Sequence, residues 1–327
     1  MIDSEVAYSK FEKLFENNMS EDEAREFLIT LYNQGESPEI IASGAKVMRD
    51  HSISLDIPTY LQERVIDVVG TGGDKIGSFN ISSTVSLLLA SMGSYVAKHG
   101  NRAITSNSGS ADMLEKLGIN LNLSLENSAT LLEESGFTFM FAQNHHPAMK
   151  HIMPIRKSIP HRTIFNILGP LTNPAGVKKY LLGVFSKDFI SPMADSLKLL
   201  GAKSAIVVSS RDGMDEISIS DITYAKTIDG NEFIIDPEAF GFKLSPLEAI
   251  KGGDANTNAD ITINILASKE KGAKRDIVLL NTAAALVADK KARDMKDGID
   301  MAVEAIDSFE AIKHLKKIID TSKKLSS

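Results

Sequence analysis

The sequence contains no cysteine. Disulfides, thiolate nucleophiles and cysteine metal ligands are therefore excluded, and a reducing compartment suits the chain. Long hydrophobic runs are missing too: the longest, residues 84–92 and 277–287, are too short or too interrupted to cross a bilayer. The opening Met1-Ile2-Asp3-Ser4-Glu5 is acidic where a secretory leader would be cationic and then apolar, so no leader is expected. Excess positive charge is also lacking. The formal net charge is −7, whereas a nucleic-acid binder presents a basic face. Neither membrane nor nucleic acid is an expected partner, and a soluble, cytoplasmic protein is the expectation. No repeat, low-complexity tract or long linker interrupts the chain. Its 327 residues, 43% hydrophobic and 24% charged, are ample for two domains and a large buried core.

Residues 1–63 read as helical. Phe11, Leu14 and Phe15 fall on one helical face, Ser20 and Glu23 form a capping box, and a third helix follows Ser37-Pro38. From residue 64 the texture changes to short β-rich runs, at 65–69, 95–97, 137–141, 180–185 and 205–208, separated by helical segments. Such alternation predicts an α/β fold with a mostly parallel central sheet covered by helices. Residues 158–169 are expected to be helical and to hinge back to the helical part. Residues 222–228 and 232–235 look like antiparallel strands, and 255–308 returns to helices. The expected division is a small helical domain, 1–63 with about 155–178, and a larger α/β domain, 64–154 with 179–327.

Gly70-Thr71-Gly72-Gly73-Asp74 follows the first strand and leads through Ser78, Asn80 and Ile81 to Ser82, Ser83 and Thr84 at the start of a helix. Glycine backbone reaches φ > 0 and approaches a bulky anion closely. A helix N-terminus adds free N–H groups and partial positive charge. The loop lacks the Lys-Ser/Thr of a P-loop and the third spaced glycine of a dinucleotide fold, so it reads either as a phosphate site of another type or as a capped turn. Asp74 fits beside a phosphate only with a metal or a ribose hydroxyl nearby.

Lys98-His99-Gly100-Asn101-Arg102 comes at the end of the next strand, where ligands of open α/β sheets bind. Small hydroxyl residues from Thr105 to Ser110 then precede another helix. Asp215 and Glu216 follow the strand at 205–208; adjacent carboxylates repel unless a cation lies beside them. Mg²⁺ prefers one or two carboxylates completed by phosphates and water.

In this ordered set the sequence resembles the anthranilate phosphoribosyltransferase family, of the nucleoside phosphorylase/phosphoribosyltransferase fold. The likeness runs through residues 70–74, 80–83, 98–102, 108–117, 146–150, Arg156, 162–174 and 212–218, and on to 280–284. It implies Mg²⁺, two ions per subunit, with 5-phosphoribosyl-1-pyrophosphate (PRPP) and anthranilate as small-molecule substrates. It also implies a homodimer formed through the helical domain. Position by position, it assigns PRPP to Gly70, Gly73, Asp74, Ser78, Asn80, Ile81, Ser82, Ser83, Lys98, His99, Gly100, Asn101, Arg102, Ala103, Ile104, Thr105, Ser106 and Ser110. Gly70, Asn101, Arg156, His146 and Gly169 would face anthranilate, and Ser82, Asp215 and Glu216 would hold the metal. The chain departs from the family at Ser83, Ile159-Pro160 and Ser308-Phe309, none of which removes a ligand-contacting group.

The reaction so implied joins the anthranilate amine to C1 of the ribose and expels pyrophosphate. The aryl amine's lone pair is free at neutral pH, so no general base is assigned. Leaving-group stabilisation and positioning carry the expectation, the latter with a ceiling of about 7–11 kcal/mol. Two rivals remain open. A pyrimidine nucleoside phosphorylase shares the fold and the Lys-His-Gly start, but has a glycine at the place of Asn101 and lacks the 162–174 run. A non-enzymatic nucleic-acid-binding relative conflicts with the acidic balance and with Arg156, Asp215 and Glu216.

Overall fold

The computed structural model describes residues 2–74, 76–102 and 108–326. Three helices come first: α1 (Ser4–Phe15), α2 (Glu21–Gln34) and α3 (Pro38–Asp50). Their starts are those the sequence announces. Ser20 and Glu23 exchange hydrogen bonds as a capping box, and Ser37 caps α3 ahead of Pro38. After the single turn α4 (Thr59–Gln62), strands and helices alternate: β1 (Val65–Gly70), α5 (Ile81–Ser91), β2 (Tyr95–Gly100), α6 (Ser110–Lys116), α7 (Leu125–Ser135) and β3 (Phe137–Phe141). Three helices return the chain to the sheet: α8 (Ala142–His145), α9 (Met149–Lys157) and α10 (Phe165–Leu168). Then come β4 (Lys179–Gly183), α11 (Ile190–Leu199), β5 (Ser204–Ser210), the hairpin β6 (Thr223–Thr227) and β7 (Glu232–Ile235), and finally α12 (Ala255–Leu266), α13 (Ala273–Ala288), α14 (Met295–Asp307) and α15 (Glu310–Lys324).

The seven strands form one sheet in the order β3-β2-β1-β4-β5-β6-β7. The first five are parallel, and β6 and β7 are antiparallel additions. From β1 the chain steps outward to β2 and β3, then returns to pair β4 on the other side of β1. The direction of winding thus reverses between β1 and β4, and the crevice beyond their C-terminal ends is where such sheets take ligands.

Strand residues alternate between two cores. Ile66, Val68, Leu181, Ile206 and Val208 face a core completed by α5 and α12 to α15. Val65, Tyr180, Leu182, Ala205 and Val207 face the other, completed by α7, α11, α1 to α3 and residues 152–177. Each large side chain so buried contributes about 1.5–3 kcal/mol. The N-terminal helices thereby pack against α9 and α10 across a wide stretch of sequence. One expectation fails. Residues 158–169 are not a continuous helix: α9 ends at Lys157, bends follow, and only Phe165–Leu168 turns again. Ile159-Pro160 explains this, because the residue before a proline is pushed out of the helical region.

A bulky residue breaks one local rule. Phe309 precedes α15 at φ 64 with its side chain 52% exposed. A left-handed conformation costs an L-residue about 1–2 kcal/mol, a cost glycine avoids apart from its greater unfolded-state entropy. Phe309→Gly is therefore expected to raise stability by about 0.5–1 kcal/mol, read from denaturant unfolding. An unchanged or lowered midpoint would show that the ring's packing outweighs the strain.

Candidate active site

Two glycines form the floor of the crevice. Gly70 ends β1 and Gly183 ends β4, and the two are register partners. Over them lies the loop after β5. A Cβ on Gly183 would come 1.5 Å from the Asp215 carbonyl oxygen, and one on Gly70 would come 2.2 Å from Asp215 Oδ2. Only hydrogen fits at either place. The glycine loop above is laced to both neighbours. Thr71 N donates to Gly183 O (3.0 Å), Thr71 Oγ1 accepts from Phe185 N (3.1 Å), and Gly72 N donates to Asp215 Oδ2 (2.6 Å). Gly72 and Gly73 take φ of 69° and 87°, as the loop's glycines were expected to do. Asp74 turns back to accept from Ile76 N, and Ser78 bridges to Lys251.

Glu216 reaches the N-terminus of α5, where Oε1 accepts from Ser82 N at 3.2 Å, a carboxylate at the positive end of a helix. Its Oε2 is buried without a partner. Asn281 fixes the following residue from both sides, accepting from Ile217 N (3.0 Å) and donating to Ile217 O (2.7 Å). Burial, and then the neighbouring Asp74, push Asp215 up to about 6. Burial, and then Asp215, raise Glu216 well above the usual carboxylate range. Two raised carboxylates with an orphan oxygen suit a divalent cation whose remaining positions go to phosphate and water, which is the habit of Mg²⁺. Among the described residues no group of three or more acidic, His or Cys ligands gathers for a metal, so the protein alone does not build a full cage.

Lys98 is 1% exposed and donates through Nζ to Val68 O (2.8 Å) and Ser82 Oγ (3.2 Å). Burial lowers its pKa, while Asp67, Glu216 and Asp215 pull the other way. His99 sets its Nδ1 3.1 Å from Gly169 O. A carbonyl only accepts, so Nδ1 carries the proton and the partnerless, buried Nε2 carries the lone pair. Burial takes His99 down to about 3 and its neighbour His146, 5.4 Å away ring to ring, down to about 4, so both are neutral at physiological pH.

Other expected positions divide. Ile81 has its side chain in the core and its N–H on Phe79 O. Ser83 Oγ is buried without a partner. Asn80 is engaged by Ser108 (3.3 Å) and by Asn258 Nδ2 (2.9 Å). Gly100 packs where a Cβ would meet Phe139 at 2.9 Å, and Ser110 opens α6. Asn101 accepts from Arg102 N. Arg102 pairs with Asp112 (3.0 Å) and Glu115 (2.6 Å), directing its charge to α6 instead of the crevice. Ala103, Ile104, Thr105 and Ser106 lie outside the described residues. Arg156 is half-buried over the Phe165 ring at 5.4 Å and bonds Met153 Sδ, with no carboxylate beside it among the described residues. Sequence reasoning missed Gly183, Asn258, Asp67 and Asn173. Gly183 carries no local signal, because its constraint appears only when two parallel strands end side by side.

A family profile described as "Glycosyl transferase family, a/b domain" matches residues 62–312. The chain is 41% identical over 318 residues to the anthranilate phosphoribosyltransferase of Rubrobacter xylanophilus, covering 96% of this chain and 92% of that one. The crystal structure of anthranilate phosphoribosyltransferase from Thermus thermophilus superposes with a TM-score of 0.93 at 39% identity, covering 99% of this chain and 96% of that one. The Saccharomyces cerevisiae enzyme, solved in complex with PRPP and Mg, gives a TM-score of 0.89 at 29% identity, covering 98% and 94%.

The two glycine environments make opposite demands. Gly183→Ala forces a methyl into the Asp215 backbone and is expected to cost roughly 2–4 kcal/mol of stability. An added Cβ on Gly169 meets nothing within 4 Å, so Gly169→Ala is expected to cost less than about 1 kcal/mol. Denaturant unfolding of the pair checks this, and equal losses would contradict the floor geometry.

Proposed function

Because the chain belongs to the anthranilate phosphoribosyltransferase branch of the glycosyl transferase family, we propose that it transfers the phosphoribosyl group of PRPP to the amine of anthranilate. The products are N-(5-phosphoribosyl)anthranilate and pyrophosphate, an early step of tryptophan biosynthesis, and the cofactor is Mg²⁺. The observation that carries this reading is the Asp215-Glu216 pair at the sheet's switch point, Asp215 buried against the glycine loop and Glu216 half-buried with its Oε2 enclosed and unpartnered. A site of that kind calls for a metal-bound polyphosphate.

In this reading Mg²⁺, when bound, neutralises charge on the departing pyrophosphate. Two ions per subunit are proposed, one held by Ser82 with Glu216 and one by Asp215 with Glu216. The Gly70–Asp74 turn and the start of α5 form the phosphate side, where several N–H groups are already held by Gly183, Asp215 and Glu216. Lys98 adds a buried positive charge that no solvent screens. Asn101, His146, Gly169 and Arg156 form the acceptor side, where the Arg156 fork takes the anthranilate carboxylate. The Nε2 lone pair of His99 is the acceptor available there for a ligand N–H. No residue need remove a proton before attack, since the aryl amine is already neutral. The reading further includes two lobes, residues 1–63 with about 155–178 and the remainder, a homodimer through the helical lobe, and a cytoplasmic location. The groove between α1, α3 and the end of α11, which includes Tyr8, Ala42 and the 58%-exposed Leu199, supports the dimer surface.

Fluorescence of the anthranilate adduct, followed with PRPP and Mg²⁺, tests the reaction; no turnover of anthranilate would sink it. Arg156→Ala is expected to raise the anthranilate KM by about 10- to 100-fold, and an unchanged KM would remove the acceptor assignment.

The raised carboxylates also predict a pH effect. A proton on Asp215, held up to about 6, must leave before the carboxylate can ligate. Mg²⁺ affinity should therefore fall as pH drops through about 6, and binding near that pH should release protons. Calorimetry in two buffers of different ionisation enthalpy reads the release directly; identical heats would argue against these ligands.

A further inference from the structure

We propose that Asp67 and Asn173 are positioning residues for the acceptor side, closing a ring of hydrogen bonds that holds the His99 imidazole and the Gly169 backbone in place from behind. The inference rests on the reading of His99 and Gly169 as acceptor-side groups. Asp67 lies in the middle of β1, where a parallel strand covered on both faces calls for an apolar residue, yet it is 0% exposed. Its hydrogen-bond partners are two N–H donors, and the buried Lys98 ammonium acts on it through space without a direct ion pair. Oδ1 accepts from His99 N at 3.2 Å, and Oδ2 accepts from Asn173 Nδ2 at 2.7 Å. A buried carboxylate so placed is costly unless its geometry serves something else.

The ring runs through three segments of chain. Asn173 Nδ2 also donates to Ala97 O on β2 (2.7 Å), while its Oδ1 accepts from Ala175 N (2.9 Å), fixing the amide's orientation. From Asn173 the backbone leads back to Gly169, whose carbonyl accepts from His99 Nδ1 at 3.1 Å. His99 N then returns to Asp67. The segment that follows α10 is thereby tied to β1 and β2 by one carboxylate and one amide. The PRPP side has separate anchors: Gly72 on Asp215, Ser82 on Glu216, Asn80 on Asn258 and Lys98 on Val68. Loss of the Asn173 bonds, which leaves the charge of Asp67 beside Lys98 in place, should therefore loosen the acceptor side and spare the donor side.

Asp67→Asn sets one amide donor against another, and Asn173→Asp sets one carboxylate against another. Each is expected to raise the anthranilate KM by about tenfold and the PRPP KM by less, Asp67→Asn reaching the PRPP side only through the charge it removes from beside Lys98. The double exchange Asp67→Asn/Asn173→Asp restores a donor facing an acceptor between the two side chains, although Ala97 O then meets a carboxylate in place of an amide donor, and should bring the anthranilate KM below that of Asn173→Asp alone. Asn173→Ser removes the amide without opposing like groups and carries the same test if a single variant does not fold. Wild-type turnover measured alongside separates the two questions, because its absence removes the functional reading itself. With wild-type turnover present, three results overturn the positioning role: equal rises in both KM values, a lower Tm with both KM values unchanged, or a double variant no better than Asn173→Asp alone.

Discussion

The site depends on how closely one loop can lie on the ends of two parallel strands. Asp215 rests where two side chains would normally project, and the sheet gives it room only because Gly70 and Gly183 stand in register there. From that contact follow the hydrogen bond from Gly72, the reach of Glu216 to the start of α5, and the burial that raises both carboxylates. Asn281 holds the far side of the same loop from the middle of α13. A methyl group on the floor would disturb all of these together.

Electrostatically, the crevice concentrates what the whole chain does not show. A protein with a net charge of −7 keeps Lys98 buried beside acidic groups, and it neutralises the more exposed Arg102 with Asp112 and Glu115. Two buried histidines add no charge at physiological pH. The strongly negative feature is the carboxylate pair, so cation and polyphosphate suit the crevice best when they arrive as one complex. Arg156, without an acidic neighbour among the described residues, leaves a guanidinium available to a second, carboxylate-bearing ligand.

Much of this was legible beforehand. The alternation of β-rich runs and helices, the hairpin after β5 and the caps at Ser20 and Ser37 are local patterns, and they hold because local patterns are enough to set them. The glycine loop and the acidic pair were legible as chemistry. The helix expected over residues 158–169 was overridden by Pro160. Gly183, Asn258, Asp67 and Asn173 were illegible for a different reason. Each owes its role to a partner far away in sequence: Gly183 to Asp215, Asn258 to Asn80, Asp67 to Asn173. The pairing of Arg102 with Asp112 and Glu115 was likewise illegible, because the helix that carries them comes only later in the chain.

The order of strands has a kinetic meaning. The central strand β1 pairs on one side with β2, close in sequence, but on the other with β4, which the chain reaches only after β3 and α7 to α10 have been laid down. Closing so long a loop is entropically slow. The glycine floor, and with it the crowding of Asp215, Glu216 and Lys98, can assemble only once β4 and β5 have docked. Repulsion between Asp215 and Glu216, which the nearby Lys98 only partly offsets, therefore falls on the last stage of folding and not on the first.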